Sequence, residues 1–212
     1  MSLTVRKFIT EKFNQNCYVL YNSNVGIIID PGDDFEQVGY FIDQHNIEIK
    51  AVLSTHGHFD HIGSVAHFQK IYNAPYYLHS KDKRLLSHAN FYRSLSGLTD
   101  TSEIPEIDNY LDDYEILEFS IIKLKLIETP GHTTGSICFH INDLLFTGDT
   151  LLKNDLGRTD LPGSKPKSLQ HSLGKLISFP EETMLLPGHG ESTTIAQELI
   201  NNNKLKSLIH EH

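Results

Sequence analysis

Between residues 55 and 64 the chain reads THGHFDHIGS, which packs three histidines and an aspartate into the six positions from His56 to His61. Such groups are poor fillers for a core, because each needs a polar partner once water is removed. The apolar run Ala51-Val52-Leu53 leads straight into them, so they stand on a turn at the end of a buried strand. Whatever fold accepts this turn must give four polar side chains something to hold. A metal ion is the partner that imidazole and carboxylate share.

Three more turns follow apolar strands: Thr129-Pro130-Gly131-His132-Thr133, Thr147-Gly148-Asp149-Thr150 and Pro187-Gly188-His189-Gly190. A lone Gly-His or Gly-Asp turn is usually just a turn. Four of them, at the strand ends where α/β folds assemble ligands, argue otherwise. Together they offer five imidazoles and two carboxylates: His56, His58, Asp60, His61, His132, Asp149 and His189. That set suffices for two divalent ions with three or four protein ligands each, completed by water. Structural zinc is usually closed and tetrahedral, whereas this N/O set without a thiolate leaves positions open, which favours an enzyme over a metal-stabilised binding module. Zinc is the first expectation, with iron and manganese open alternatives, since the donors suit all three. Of the thirteen histidines, the eight outside these turns read as surface or satisfied polar residues.

A chain of 212 residues can bury one large core. Its net charge of −9 argues against a nucleic-acid groove or an anionic membrane surface as partner, and no apolar stretch approaches the roughly 20 residues of a membrane span. The segment MSLTVRKFITEKFNQ has no apolar h-region, so it does not read as a signal peptide. Cys17 and Cys138 read as buried thiols in a reducing compartment, and a cytoplasmic location is expected. Nothing in the sequence speaks to the oligomeric state.

Strands are expected at Cys17 to Leu20, Val25 to Ile29, Ile49 to Leu53 and Tyr76 to Leu78, with helices from Phe35 to His45 and Ile62 to Tyr72 between them. The second half repeats the rhythm. Its strands are Glu115 to Phe119, Ile121 to Ile127, Ser136 to Ile141, Leu144 to Thr147 and Met184 to Leu186, and its helices run from about Lys167 to Ile177 and Thr194 to Asn202. Residues 80–110 have no β rhythm and read as a helical and loop excursion that walls a substrate cleft, with Phe91 and Tyr92 as candidate apolar contacts or, alternatively, ordinary core residues. One α/β domain over 1–212 is expected.

The pattern His56-x-His58-x-Asp60-His61, followed in order by His132, Asp149 and His189, resembles the metallo-β-lactamase fold hydrolases over nearly the whole chain. The resemblance implies an αββα sandwich, two mixed sheets between helices, with a dinuclear metal site at one edge. It implies that His56, His58 and His132 hold one metal, that Asp60, His61 and His189 hold the other, and that Asp149 bridges them. His56 and His58 alternate about one residue and can point the same way, whereas Asp60 and His61 lie beyond the bend.

Class B1 β-lactamases carry a cysteine where this chain has Asp149, and flavodiiron oxidoreductases a glutamate where it has His58. The stretch LFTGDTLLKNDLGRTDLPGS and the closing PGHGESTTI are most similar to short glyoxalase II-like thioester hydrolases. Gly157-Arg158-Thr159-Asp160 is shared with persulfide dioxygenases, whose single iron is held by positions matching His56, His132 and Asp149. Full-length glyoxalase II enzymes add a C-terminal helical domain that helps grip glutathione, but here residues 190–212 provide for one helix and a tail. The expected reaction is hydrolysis of a small-molecule thioester, such as a hydroxyacyl-glutathione, by a metal-bound hydroxide that Asp60 orients. Arg158, Lys153 and Lys165 follow Asp149 and are candidates to meet a substrate carboxylate, with an Arg158–Asp160 pair as the structural alternative. A lactonase and a nuclease of the same fold remain less favoured readings.

Overall fold

The computed structural model of the chain describes residues 3–33 and 35–210. Strands β1 (Thr4–Ile9), β2 (Asn16–Asn22) and β3 (Val25–Ile29) pair antiparallel. Helix α1 (Phe35–Gln44) returns the chain to β4 (Glu48–Leu53), parallel to β3. Next come α2 (Phe59–Ile62), α3 (Val65–Tyr72) and β5 (Tyr76–Leu78), then α4 (Lys83–Ser87), α5 (Ala89–Leu95) and β6 (Asn109–Tyr110). The first sheet is ordered β1-β2-β3-β4-β5-β6.

The second sheet begins as an antiparallel meander of β7 (Ile116–Phe119), β8 (Ile122–Glu128), β9 (Ile137–Ile141) and β10 (Leu144–Gly148). A small hairpin of β11 (Leu151–Leu152) and β12 (Asp155–Leu156) follows. Helix α6 (Pro166–Leu176) leads to β13 (Met184–Pro187), parallel to β10, and β14 (Thr193–Thr194) pairs with its other edge. Helices α7 (Ile195–Asn201) and α8 (Asn203–His210) complete the described chain. The order of the second sheet is β14-β13-β10-β9-β8-β7.

Side-chain alternation stacks these layers. Along β2, Tyr18 and Leu20 point into the cluster between the sheets, while Cys17 and Val19 point to the opposite face, where α1 and α3 pack. Ile27 and Ile29 share the inner cluster with Leu124, Phe139 and Phe146 of the second sheet, and Ile28 faces the other way. A strand covered on both faces needs apolar residues at every position, which accounts for the unbroken Ile27-Ile28-Ile29. Helices α6, α7 and α8 cover the outer face of the second sheet through Leu173, Ile195 and Leu205. The result is the expected αββα sandwich with two mixed sheets. Cys17 and Cys138 are free buried thiols on the outer faces of different sheets. Among the described residues, no helix is long and apolar enough to cross a membrane.

Several elements differ from the sequence reading. The helix expected from Ile62 to Tyr72 is two, because Gly63 lies against the Asp33 carboxylate, 2.0 Å from where a Cβ would sit, and Ser64 N–H donates to the Pro31 carbonyl. Edge strand β1 was not expected, since none of its residues is fully buried and TVRKFI therefore shows little hydrophobic alternation. Two helices rather than one follow His189, and residues 211–212 of the expected tail lie outside the described residues.

Phe146 is fully buried between the sheets, with its ring edge-to-face on Tyr18 at 5.2 Å. Phe146→Ala is expected to lower unfolding free energy by about 3–5 kcal/mol, as measured by urea titration.

Candidate metal centre

The four polar turns meet at one edge of the sandwich. Each begins where a strand ends: β4 at Leu53, β8 at Glu128, β10 at Gly148 and β13 at Pro187. Three groups of side chains converge there, each with its potential ligand atoms within 4.8 Å of one another: His56, His58 and His132; Asp60, His61 and His189; and His56, His61 and Asp149. Asp149 contacts members of both outer groups. Its carboxylate lies 3.5 Å from His132 Nε2, 3.6 Å from His61 Nε2 and 3.7 Å from His189 Nε2.

Hydrogen bonds on the far ring nitrogens orient the imidazoles. His132 Nδ1 donates to the Arg158 carbonyl at 2.8 Å, His61 Nδ1 to Asp30 at 3.1 Å and His189 Nδ1 to the Phe13 carbonyl at 3.2 Å. With these protons assigned to Nδ1, each Nε2 turns a lone pair inward. Crowding is severe enough that a Cβ on Gly188 would fall 2.3 Å from Asp149 Oδ1 and 2.6 Å from His61 Cε1.

Two buried carboxylates brace this arrangement, and neither was singled out from the sequence. Asp30 has φ of 52°, in the left-handed region, directly before Pro31; that is an unfavourable place for a residue preceding proline. It accepts from Thr55 N–H at 2.6 Å and Thr55 Oγ1 at 2.7 Å as well as from His61. Asp82 accepts from Gly57 N–H at 2.9 Å, Thr133 Oγ1 at 2.7 Å and Gly135 N–H at 2.8 Å, and so ties the first histidine turn to the His132 turn. Burial pushes its carboxyl upward despite those donors. The only clue to Asp30 was a carboxylate closing an apolar strand. Asp82, in Lys81-Asp82-Lys83, reads as surface charge.

The donor set fits cations. Ligands about 2.1 Å from a tetrahedral ion stand about 3.4 Å apart, which matches the spacings around Asp149. His56 Nε2 and Asp149 Oδ1 are buried without a hydrogen-bond partner, and His132 Nε2 faces His58 Nδ1 at 2.9 Å. Burial works to raise Asp60 and Asp149, yet the imidazoles, His61 foremost, hold both below the usual carboxylate range. Burial, then His132, pushes His58 down to about 4. For His61 burial acts downward, but Asp149, Asp30 and Asp60 outweigh it and lift the imidazole to about 10. Carboxylates this dense demand positive charge, which a proton on His61 or a metal ion can supply.

Above the cluster lies a cavity of about 570 Å³. His58, Asp60, His132, Asp149 and His189 form its floor. The 80–110 segment contributes Leu85, Tyr92, Leu95 and Ser96, so it walls the same cavity. Three candidates, Phe91, Lys153 and Lys165, lie outside the lining. Phe91 is exposed, because neighbours on a helix diverge by about 100° and only Tyr92 faces in. Lys153 is paired with Glu191 instead. Lys165 caps α6, its N–H donating to the Gly131 carbonyl. Arg158 does line the cavity, but its guanidinium forms a bidentate pair with Asp160 at 3.0 and 2.9 Å.

The pattern of the metallo-beta-lactamase superfamily matches residues 10–189. The chain belongs to this superfamily. It is 33% identical over 188 residues to the probable metallo-hydrolase YqgX of Bacillus subtilis, covering 86% of this chain and 88% of that one. It is 32% identical over 206 residues to the hydroxyacylglutathione hydrolase GloC of Haemophilus influenzae, covering 92% and 94%. Among solved structures, BLEG-1, a B3 metallo-beta-lactamase, aligns with a TM-score of 0.89 at 33% identity over 95% of this chain and 99% of that one. TTHA1623 in a di-iron-bound form aligns with a TM-score of 0.86 at 32% identity over 94% and 100%.

Metal removal exposes the electrostatics to measurement. Unfolded histidine titrates near 6.5. Below that pH the unfolded chain binds a proton that folded His58 refuses down to about 4, so acid lowers stability. Charged His61 acts in the opposite sense: its contribution is complete below about 6.5 and is lost as pH rises through about 10. Melting temperatures of the chelator-treated protein should therefore peak near neutrality and fall towards both pH 4 and pH 10. A melting temperature still climbing between pH 7 and 10 contradicts this electrostatic account.

Proposed function

We propose that this protein is a metal-dependent thioester hydrolase of the glyoxalase II-like kind. The observation that carries the reading is an open one: His58, Asp60, His132, Asp149 and His189 form the floor of a cavity, with Asp149 in reach of both outer groups. A structural site would be closed over by protein. The likeness to GloC supports a thioester substrate, and the likeness to a di-iron-bound protein keeps iron beside zinc as a candidate.

In this reading His56, His58 and His132 hold one ion, Asp60, His61 and His189 the second, and Asp149 reaches both. Divalent ions held there would lower the pKa of a coordinated water towards about 7 and polarise the substrate carbonyl. The chain's own residues do the rest. Asp60 sits 3.3 Å from His189 Nε2 at the cavity floor and is placed to orient the attacking water. Asp30 and the Arg158 and Phe13 carbonyls keep the imidazole rings in the ligating tautomer. Leu85 and Tyr92 exclude bulk water from the reacting carbon. The water oxygen bonds to the acyl carbon and the C–S bond breaks. The thiolate leaves with that electron pair, and the water protons pass to thiolate or solvent. Because a thiol has a pKa of about 8.5, its departure needs no strong general acid.

Asp149→Ala is expected to lose metal and more than about a hundredfold in activity together, as read by elemental analysis and turnover. Arg158→Ala leaves the backbone acceptor of His132 in place and should keep its metal.

Substrate class is decided by one preparation of known metal content assayed on a lactoyl thioester, a β-lactam, a lactone and glutathione persulfide with oxygen recorded. Thioester cleavage without oxygen uptake is the expected result. Oxygen uptake without thioester cleavage would replace this reading with a single-iron persulfide dioxygenase.

A further inference from the structure

The cavity above the ligand cluster has two chemically unlike sides. Its floor is imidazole and carboxylate. Its walls are largely apolar and come from separate parts of the chain: Phe13 from the loop before β2, Phe59 from α2, Tyr92 and Leu95 from α5, Leu156 from β12 and Leu161 from the turn beyond it. Phe13 and Phe59 meet edge-to-face at 5.2 Å, so that corner is a packed aromatic surface. Leu95 is 70% exposed, a large apolar side chain left in water at the cavity mouth.

Charge on the walls is already neutralised. Among the described lining residues, Arg158 is the one with a guanidinium or ammonium group, and two of its N–H groups are committed to Asp160. Asp155, the lining carboxylate outside the metal cluster, is paired with Lys204 and accepts from Leu156 N–H. A carrier with two carboxylates, such as glutathione, would bring anions against apolar walls with no uncommitted cation to receive them, and unpaired anions are costly to desolvate. Hydrocarbon, by contrast, gains from every group removed from water. The volume of about 570 Å³ is also more than a lactoyl group uses, and lies within the roughly 300–1,000 Å³ range of pockets that enclose drug-sized ligands.

We infer that the substrate is selected through an apolar acyl chain, a medium-length aliphatic or aromatic acyl group lying against these walls, and not through an anionic thiol carrier. This rests on the thioester reading above and specifies its substrate.

The test uses the intact metal-loaded protein and two parallel series. The first measures kcat/KM on N-acetylcysteamine thioesters of acetyl, butanoyl, hexanoyl and octanoyl groups beside S-lactoylglutathione. The second measures Kd for acetate, butanoate, hexanoate and octanoate by calorimetry. Specificity is expected to rise by up to about fourfold per added methylene, and carboxylate Kd to fall in the same order. Leu95→Ser/Leu161→Ser changes two walls away from the ligand cluster. It should keep its metal and flatten both series. Series that are flat or falling with chain length, or S-lactoylglutathione preferred over the octanoyl thioester by tenfold, overturn the inference. If no thioester is cleaved, the hydrolase reading fails, and the carboxylate series still decides the matter: tighter binding with length upholds an apolar acyl site, and equal binding removes it.

Discussion

The arrangement at the sandwich edge depends on a buried carboxylate that is itself in none of the clustered ligand groups. Asp30 receives the backbone N–H and the hydroxyl of Thr55 and the Nδ1 proton of His61. One group therefore fixes both where the first histidine turn begins and how its last imidazole is rotated. Its backbone stands in the left-handed region before a proline, a conformation that persists only where surrounding bonds over-determine it. The anchor is rigid because β3 and β4 are parallel neighbours in the centre of the first sheet, buried on both faces.

Asp82 performs the matching task across the two halves of the molecule. It lies in the excursion between β5 and β6, yet accepts from Gly57 on one turn and from Thr133 and Gly135 on another. The same excursion supplies Leu85, Tyr92 and Leu95 to the cavity wall. Ligand placement and the cavity wall are thus mechanically joined, because a shift of this segment would disturb both. Such coupling places an apolar pocket beside a highly charged floor, and the contrast between them is the basis for the proposed selection of an acyl chain.

Much of the architecture was legible because it rests on short-range patterns. Unbroken apolar runs such as Ile27-Ile28-Ile29 announce strands covered on both faces, and polar turns at strand ends announce where ligands gather. The edge strand β1 and the break at Gly63-Ser64 were illegible for a common reason. Each is decided by a partner outside its own residues, the neighbouring strand β2 for the first and the Pro31-to-Asp33 loop for the second.

The candidate site divides in the same way. The identities of seven histidine and aspartate side chains, and their order on four turns, are properties of the sequence, since only a few residue types can ligate a cation and glycine must stand beside them. Which of these groups lie together, and that Asp149 comes within 3.7 Å of three imidazoles from three different turns, is set by how two sheets stack. The Arg158–Asp160 pair was open as an alternative in the sequence, because its partners stand two residues apart, but only tertiary structure brings the Arg158 carbonyl to His132 Nδ1. Tertiary structure also turned Phe91 out to solvent while Tyr92 faces the cavity. A side chain's chemistry is carried in its own atoms, whereas its partner is chosen by every contact that folds the chain around it.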